Sequence, residues 1–262
     1  MRNLIIKLLK SILPDRLIVY LHKKDSYVFF RRNRKRVNAV ASSLADEISK
    51  EVYLGLIKSR SGLNNYEKFT TSQIQYFEND FFTYNENEFF IDCGAYTGDS
   101  IEKFIRFVPD YKGIISFEPI HTFFNVLKEK YDNNPKIQLI NKGVWDKVEK
   151  FSFLEDGVAS HISDSQGKEN DSTIEVIPID SLNIQEKVTF IKMDVEGAEL
   201  NALKGVSQTI LRDKPKLAIC IYHSNYDMIQ IAEYIHTLCP QYKLYVRHHS
   251  DKLWDTILYG CL

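Results

Sequence analysis

The chain has 262 residues, 44% hydrophobic, 26% charged and 13% aromatic, with 34 basic and 35 acidic residues for a net charge of −1. This composition excludes a disordered, collagen-like or coiled-coil chain and supplies the apolar mass for a sizeable core. A neutral chain gives no reason to expect a nucleic-acid partner, since domains of that kind carry a basic excess.

The neutrality is a cancellation. Residues 1–40 hold eleven Lys or Arg against Asp15 and Asp25, a charge of +9, so the rest of the chain carries −10. Cys93, Cys220, Cys239 and Cys261 are widely spaced without a C-x-x-C pair. A disulfide framework or zinc knuckle is therefore not expected, and reduced thiols in a cytoplasmic protein fit.

The opening MRNLIIKLLKSIL falls short of the roughly 20 apolar residues that span a bilayer. On a helical wheel Leu4, Ile5, Leu8, Leu9, Ile12 and Leu13 share one face, with Lys7 and Lys10 opposite. DRLIVYLHKKDSYVFFRRNRKR repeats the apolar and basic mixture. Residues 1–36 thus suit peripheral association with the anionic inner face of a membrane. The alternative is an apolar stripe docked on the main domain or on a twin subunit in a homodimer. Residues 37–60 read as one amphipathic helix with Val40, Leu44, Ile48, Val52 and Leu56 on the core side, and 72–82 as a short helix. The expected division is a basic helical arm over 1–70 and a main domain over 71–262.

From residue 88, β-forming runs alternate with amphipathic stretches: EFFID (88–92), GIISFE (113–118), KIQLIN (136–141), VTFIKMD (188–194) and KLAICIYH (216–223). That alternation predicts a parallel sheet covered on both faces. YKLYVRHH (242–249) and LWDTILYGC (253–261) are separated by Ser250–Lys252 alone, too short for a parallel crossover, so they form an antiparallel hairpin. Residues 143–180 read as an insertion, two alternating strands flanking a polar loop, near the carboxyl edge of the sheet where ligands bind.

FFIDCGAYTGDS is a buried strand running into a glycine turn and a helix N-terminus, which offers free backbone N–H groups to a polar ligand. It has D-x-G-x-x-x-G rather than the dinucleotide G-x-G-x-x-G. Glu118, 26 residues after Asp92, ends the second strand where a carboxylate accepts from both ribose hydroxyls. A nucleoside cofactor without a pyrophosphate fits this set. In FIKMDVEGAEL, Lys192 and Asp194 share one side of a strand, and Lys192 needs an acidic partner, for which Asp194 is the nearest candidate. Glu199, in the first turn of the next helix, has an ordinary helix-dipole explanation.

The combination IDCGAYTGDS, FEP, FIKMDVEGAELNALKG, IYH and RHHS…WDTILYG resembles the FkbM family of S-adenosylmethionine-dependent methyltransferases over about residues 86–262. The resemblance implies an α/β fold, a Rossmann-like class I methyltransferase sheet of order 3-2-1-4-5-7-6 with strand 7 antiparallel, here with an N-terminal helical extension. It also implies S-adenosyl-L-methionine as cofactor and O-methylation, often of sugars or polyketide hydroxyls. By position, Asp92, Gly94, Ala95, Tyr96 and Gly98 would surround the methionine part of the cofactor. Glu118, followed by Pro119, would take the ribose, Gly143 and Val144 would lie near the adenine, and Asp194 beside the methyl group.

The expected function is methyl transfer to a hydroxyl of a small molecule, most of all a sugar or glycan, with Asp194, Lys192 and His223 as the catalytic set. A positioned base must take the hydroxyl proton; Asp194, His223, His248 and His249 are the candidates. Asp194, Glu196 and His223 form the set suited to a divalent cation, but no spacing rule demands one and none is expected. The competing reading is an inactive scaffold or membrane-recruitment protein on the same fold, which the intact loop and Glu118 argue against. A nicotinamide-dependent oxidoreductase is disfavoured by the missing third glycine.

Overall fold

A computed structural model describes residues 15–72, 74–77, 80–154, 161–163 and 172–262. The first expected helix, over residues 4–13, lies outside them. In chain order the elements are α1 (Asp15–Arg32), α2 (Arg34–Ser43), α3 (Glu47–Arg60), β1 (Phe89–Cys93), α4 (Asp99–Phe107), β2 (Gly113–Phe117), α5 (His121–Tyr131) and β3 (Ile137–Ile140). The insertion contributes β4 (Gly143–Val144), β5 (Glu149–Leu154), β6 (His161–Ser163) and β7 (Ser172–Ile177). Then follow β8 (Phe190–Met193), α6 (Glu199–Lys204), α7 (Ser207–Asp213), β9 (Lys216–Cys220), α8 (Asp227–Leu238), β10 (Lys243–His248) and β11 (Thr256–Cys261).

The main sheet has the order β3-β2-β1-β8-β9-β11-β10. All neighbours are parallel except β11, which is antiparallel to both β9 and β10. This is the 3-2-1-4-5-7-6 order expected, including the closing hairpin. Every residue of β1, β2 and β8 is buried, as strands covered on both faces must be. The insertion forms a second sheet of four short strands, β4-β7-β5-β6, where two strands were expected.

The helix expected over 37–60 is two helices. Leu44 leaves the helical region with ψ 141°, forms a bridge with Leu244, and lets Ala45 N–H donate to the Leu244 carbonyl at 2.8 Å. Asp46 then caps α3 by accepting from Ser49 N–H. The restart shifts the helical phase, so Ile48 is exposed while Val40, Leu44, Val52 and Leu56 are buried as expected. No helix occurs among the described residues of 72–82, because Tyr76 takes a left-handed conformation (φ 71°) that breaks it.

The described helices preceding β1 are part of the core. Phe30, Val37, Val40, Leu44, Val52 and Leu56 join the main apolar cluster, and each fully buried side chain of this size contributes roughly 1.5–3 kcal/mol. They also close a sheet edge. The outward groups of β10 are met by Ala45 N–H on the Leu244 carbonyl, by Ser49 Oγ, which accepts from Val246 N–H at 2.9 Å, and by Thr71 N–H on the His248 carbonyl. No helix among the described residues is long and apolar enough to cross a membrane.

Candidate active site

Parallel pairing of β1 with β8 sets Asp92 directly beside Lys192. Their side chains form a buried ion pair, Nζ to Oδ1 3.2 Å, and Ser100 Oγ donates to the other Asp92 oxygen. This corrects the expected Lys192–Asp194 pairing: alternation along one strand identified a shared side, but the closest acid is the cross-strand neighbour. Burial works to discharge Lys192, and the charges of Asp92 and Asp194 outweigh it, holding the ammonium firmly protonated. Its Nζ also donates to the Gly94 carbonyl at 2.6 Å, so the ion pair braces the glycine turn.

Gly94 has φ 80°, and a Cβ there would lie 1.9 Å from the Asp194 carbonyl oxygen, so only glycine permits the two strand ends to approach. Gly94 and Ala95 N–H both donate to the Phe117 carbonyl. Tyr96, also left-handed, packs its ring on Phe123. The turn and the ends of β1, β2 and β8 frame a cavity of about 340 Å³ whose walls include Gly94, Tyr96, Glu118, Pro119, Gly143, Val144, Lys192, Asp194 and Glu196. Asp92, Ala95 and Gly98 are not on its wall. Asp92 and Ala95 are fully buried behind the turn, and Gly98 starts α4 in close contact with Leu127 and Tyr131. Their part is to shape the loop.

Glu118 follows β2 and is buried on the cavity wall. Its oxygens accept one backbone N–H each, from Tyr96 and Ile120, both at 2.8 Å. Burial pushes its carboxyl up to about 7, against the pull of those two N–H groups. Beside it, Phe117, Ile120, Phe123, Val144, Ile174 and Val176 form an apolar wall. The donor set fits a nucleoside cofactor: each Glu118 oxygen retains a lone pair for a ribose hydroxyl, and the neighbouring wall is apolar, as a purine requires.

Asp194 accepts from two tyrosines, Tyr76 Oη at 2.8 Å and Tyr222 Oη at 3.1 Å. Burial would raise its carboxyl, but Lys192, His223 and the Tyr76 hydroxyl bring it below the ordinary range. It is therefore a poor proton acceptor. His223 is not on the cavity wall, because β9 ends at Cys220, short of the expected residue 223, and the ring turns into an acidic nest. Its Nδ1 lies 3.0 Å from Glu199, and its Nε2 lies 3.5 Å from both Asp194 and Glu196. Burial favours the neutral ring, yet Glu196 and Glu199 lift its pKa to about 10. These carboxylates favour the charged ring, which works against the role of base expected of it.

His248 and His249 are likewise engaged elsewhere. His248 is fully buried against Thr256, with burial lowering its pKa to about 4, and His249 bonds to Tyr259 Oη. The residues of the cavity wall that sequence reasoning missed are Gln75, Tyr76 and Asp255. Asp255 is left-handed (φ 61°) and accepts from Gln75 Nε2 at 3.0 Å. Burial and the nearby Asp194 charge raise its carboxyl above the ordinary range. Its place in the WDT that leads into the last strand is the one sequence signal available.

The sheet order, the glycine turn after β1 and the anchored carboxylate after β2 define a class I methyltransferase fold. The profile of the Methyltransferase FkbM domain matches residues 92–252, more than half of the chain, which therefore belongs to the FkbM family of S-adenosylmethionine-dependent methyltransferases. The chain is similar to the crystal structure of methyltransferase FkbM from Methylobacillus flagellatus, with 27% identity and a TM-score of 0.77. That likeness covers 91% of this chain and 62% of that one, so the chain spans less than two thirds of the relative's length. More distant likenesses are to an rRNA methylase from Streptococcus thermophilus (12% identity, TM-score 0.43, 67% of this chain and 86% of that one) and to Aeropyrum pernix fibrillarin with natively bound S-adenosyl-L-methionine (12%, 0.40, 67% and 66%). No curated protein sequence matches the chain.

Proposed function

We propose that the protein transfers a methyl group from S-adenosylmethionine to a hydroxyl of a sugar or glycan. The observation that carries this reading is Glu118, a buried carboxylate whose two oxygens are fixed by separate backbone N–H groups on the wall of the main cavity. In this reading Glu118 holds the ribose, Gly143 and Val144 flank the adenine, and the Gly94 turn, braced by Lys192, receives the methionine part. Bound there, the cofactor supplies a methyl group on a sulfonium. Asp194, kept charged, faces that cation and is itself fixed by two tyrosine hydroxyls.

The acceptor oxygen must be aligned for in-line displacement, which in favourable cases contributes roughly 7–11 kcal/mol. Gln75, Tyr76 and Asp255 form the side of the cavity left for it. Asp255 takes the hydroxyl proton as the oxygen attacks, being the acid of that wall whose carboxyl is raised. The polar lining suits a hydroxylated acceptor.

Residues 1–36 bring the site to an anionic membrane surface that carries a lipid-linked or capsular glycan, or pair it with a second copy of the chain. Supporting the first, α1 exposes Leu21, Tyr27 and Val28 beside Lys23, Lys24, Arg31 and Arg32. The decisive measurement is calorimetry with S-adenosylmethionine, expected to give one site per chain. No binding at millimolar concentration overturns the reading. A screen of sugar nucleotides and lipid-linked glycans, followed by release of S-adenosylhomocysteine, then tests the acceptor class.

A further inference from the structure

The acidic nest around His223 carries more than a positioned histidine requires. Asp194, Glu199 and His223 each offer a ligand atom, and these atoms lie within 4.8 Å of one another. Glu199 is fully buried, and its Oε1 already accepts from Val195 N–H, while its Oε2 has no hydrogen-bond partner. His223, one-tenth exposed, turns both ring nitrogens to carboxylates, Nδ1 3.0 Å from Glu199 and Nε2 3.5 Å from Asp194 and Glu196, so the unsatisfied atom of the nest is Glu199 Oε2. Buried polar atoms without a partner are uncommon and call for a water or an ion.

We propose that Asp194, Glu199 and His223 bind a divalent first-row metal cation at the back of the cavity. Donors held about 2.0–2.2 Å from a cation stand at most roughly 4.4 Å apart, so small side-chain adjustments close the set. Four acids, Asp194, Glu196, Glu199 and Asp227, crowd this spot, while the nearby ammonium of Lys192 is committed to Asp92 and the Gly94 carbonyl. The cation takes over the positive charge that the ring otherwise provides, and the ring proton leaves to solvent. Two carboxylates with one imidazole select manganese, iron or zinc over calcium.

Outer contacts already orient the ligands, as they do around established metal sites. Tyr76 and Tyr222 donate to Asp194, and Val195 N–H donates to Glu199. Asp194 and Glu196 line the cavity, which leaves an open side toward the acceptor. A cation there lowers the pKa of the acceptor hydroxyl and so works with Asp255. That use rests on the methyl-transfer reading; the binding of the ion does not.

The test uses the full chain, stripped with EDTA and titrated with MnCl2 alone, with free Mn2+ followed by electron paramagnetic resonance. One Mn2+ per chain is expected, with affinity reduced about tenfold or more in His223→Ala and in Glu199→Gln. Glu233→Gln, which breaks a remote pair with Arg36, leaves affinity unchanged. All Mn2+ remaining free at millimolar concentration overturns the proposal, as does wild-type affinity in both variants. If the variants fail to fold, electron spin echo modulation of the wild-type chain decides: nitrogen coupling from an imidazole ligand supports the site, and its absence in the bound state overturns it. Calorimetry with S-adenosylmethionine on the metal-free chain separates failure of the cofactor reading from failure of the metal site.

Discussion

The ammonium of Lys192 lies 3.2 Å from the carboxylate of Asp92, across two adjacent parallel strands, with side chains 4% and 0% exposed. Removing one partner leaves the other charge buried without compensation. Lys192→Met is therefore expected to destabilise the fold by about 3–5 kcal/mol, whereas combining it with Asp92→Leu recovers most of that loss. Urea unfolding of the two variants measures the difference. Equal losses in both would mean the pair is not what anchors these strands.

Glu118 predicts a pH dependence with a definite sign. Ribose hydroxyls donate to the ionised carboxylate, whose protonation midpoint burial has moved to about 7. Affinity for S-adenosylmethionine should accordingly rise from about pH 6 to about pH 8 and then level off. The ligand-free chain shows the opposite trend. Its raised carboxyl adds stability that is fully present below the ordinary value of 4.5 and is lost as pH rises to about 7, roughly 3 kcal/mol in all. In Glu118→Gln both contributions should vanish, and affinity should fall by about 1.5–3 kcal/mol. Calorimetry at several pH values reads the first trend and thermal unfolding the second.

Gly94→Ala tests the approach of the two strand ends. The new methyl group would collide with the Asp194 carbonyl, and the positive φ is strained for any other residue. The strain alone is expected to cost about 1–3 kcal/mol, and moving the Asp194 backbone should abolish cofactor binding. A variant that binds with native affinity would show that the turn does not touch the cofactor.

The position of the cut decides what a truncation reports. Removing residues 1–36 also removes Phe30 from the core, the Ser26–Asn225 hydrogen bond and the Arg36–Glu233 pair, so loss of solubility is expected. A cut after residue 14 spares all three. That shorter truncation should keep its affinity for S-adenosylmethionine and sediment more weakly with phosphatidylserine vesicles, α1 retaining part of the contact. Unchanged sedimentation would assign no part of the membrane contact to residues 1–14.

What was legible in the sequence was whatever a short stretch of chain decides for itself. The glycine turn, the acid after β2, the strand–helix alternation and the closing hairpin all follow from local pattern and loop length. Partners set by register are not legible: strand periodicity points Lys192 to Asp194 and says nothing of Asp92 on the neighbouring strand. Residues 72–82 read as a short helix, although the chain turns left-handed at Tyr76, whose hydroxyl reaches Asp194. His223 looked like a base exposed at a strand end, and only the folded arrangement surrounds it with three carboxylates. Gln75 and Asp255, 180 residues apart, meet through the fold alone.

The closure of β10 by Ala45, Ser49 and Thr71 bears on how the protein can be cut down for study. A fragment limited to residues 92–252 would lack those three residues and also β11, which begins at Thr256. Both rows of hydrogen-bonding groups on β10 would then be bare, a template for pairing with other chains and hence for aggregation. The smallest piece expected to stay soluble runs from α1, which carries Ser26 and Phe30, through the final strand, well beyond the stretch that carries the family's signature.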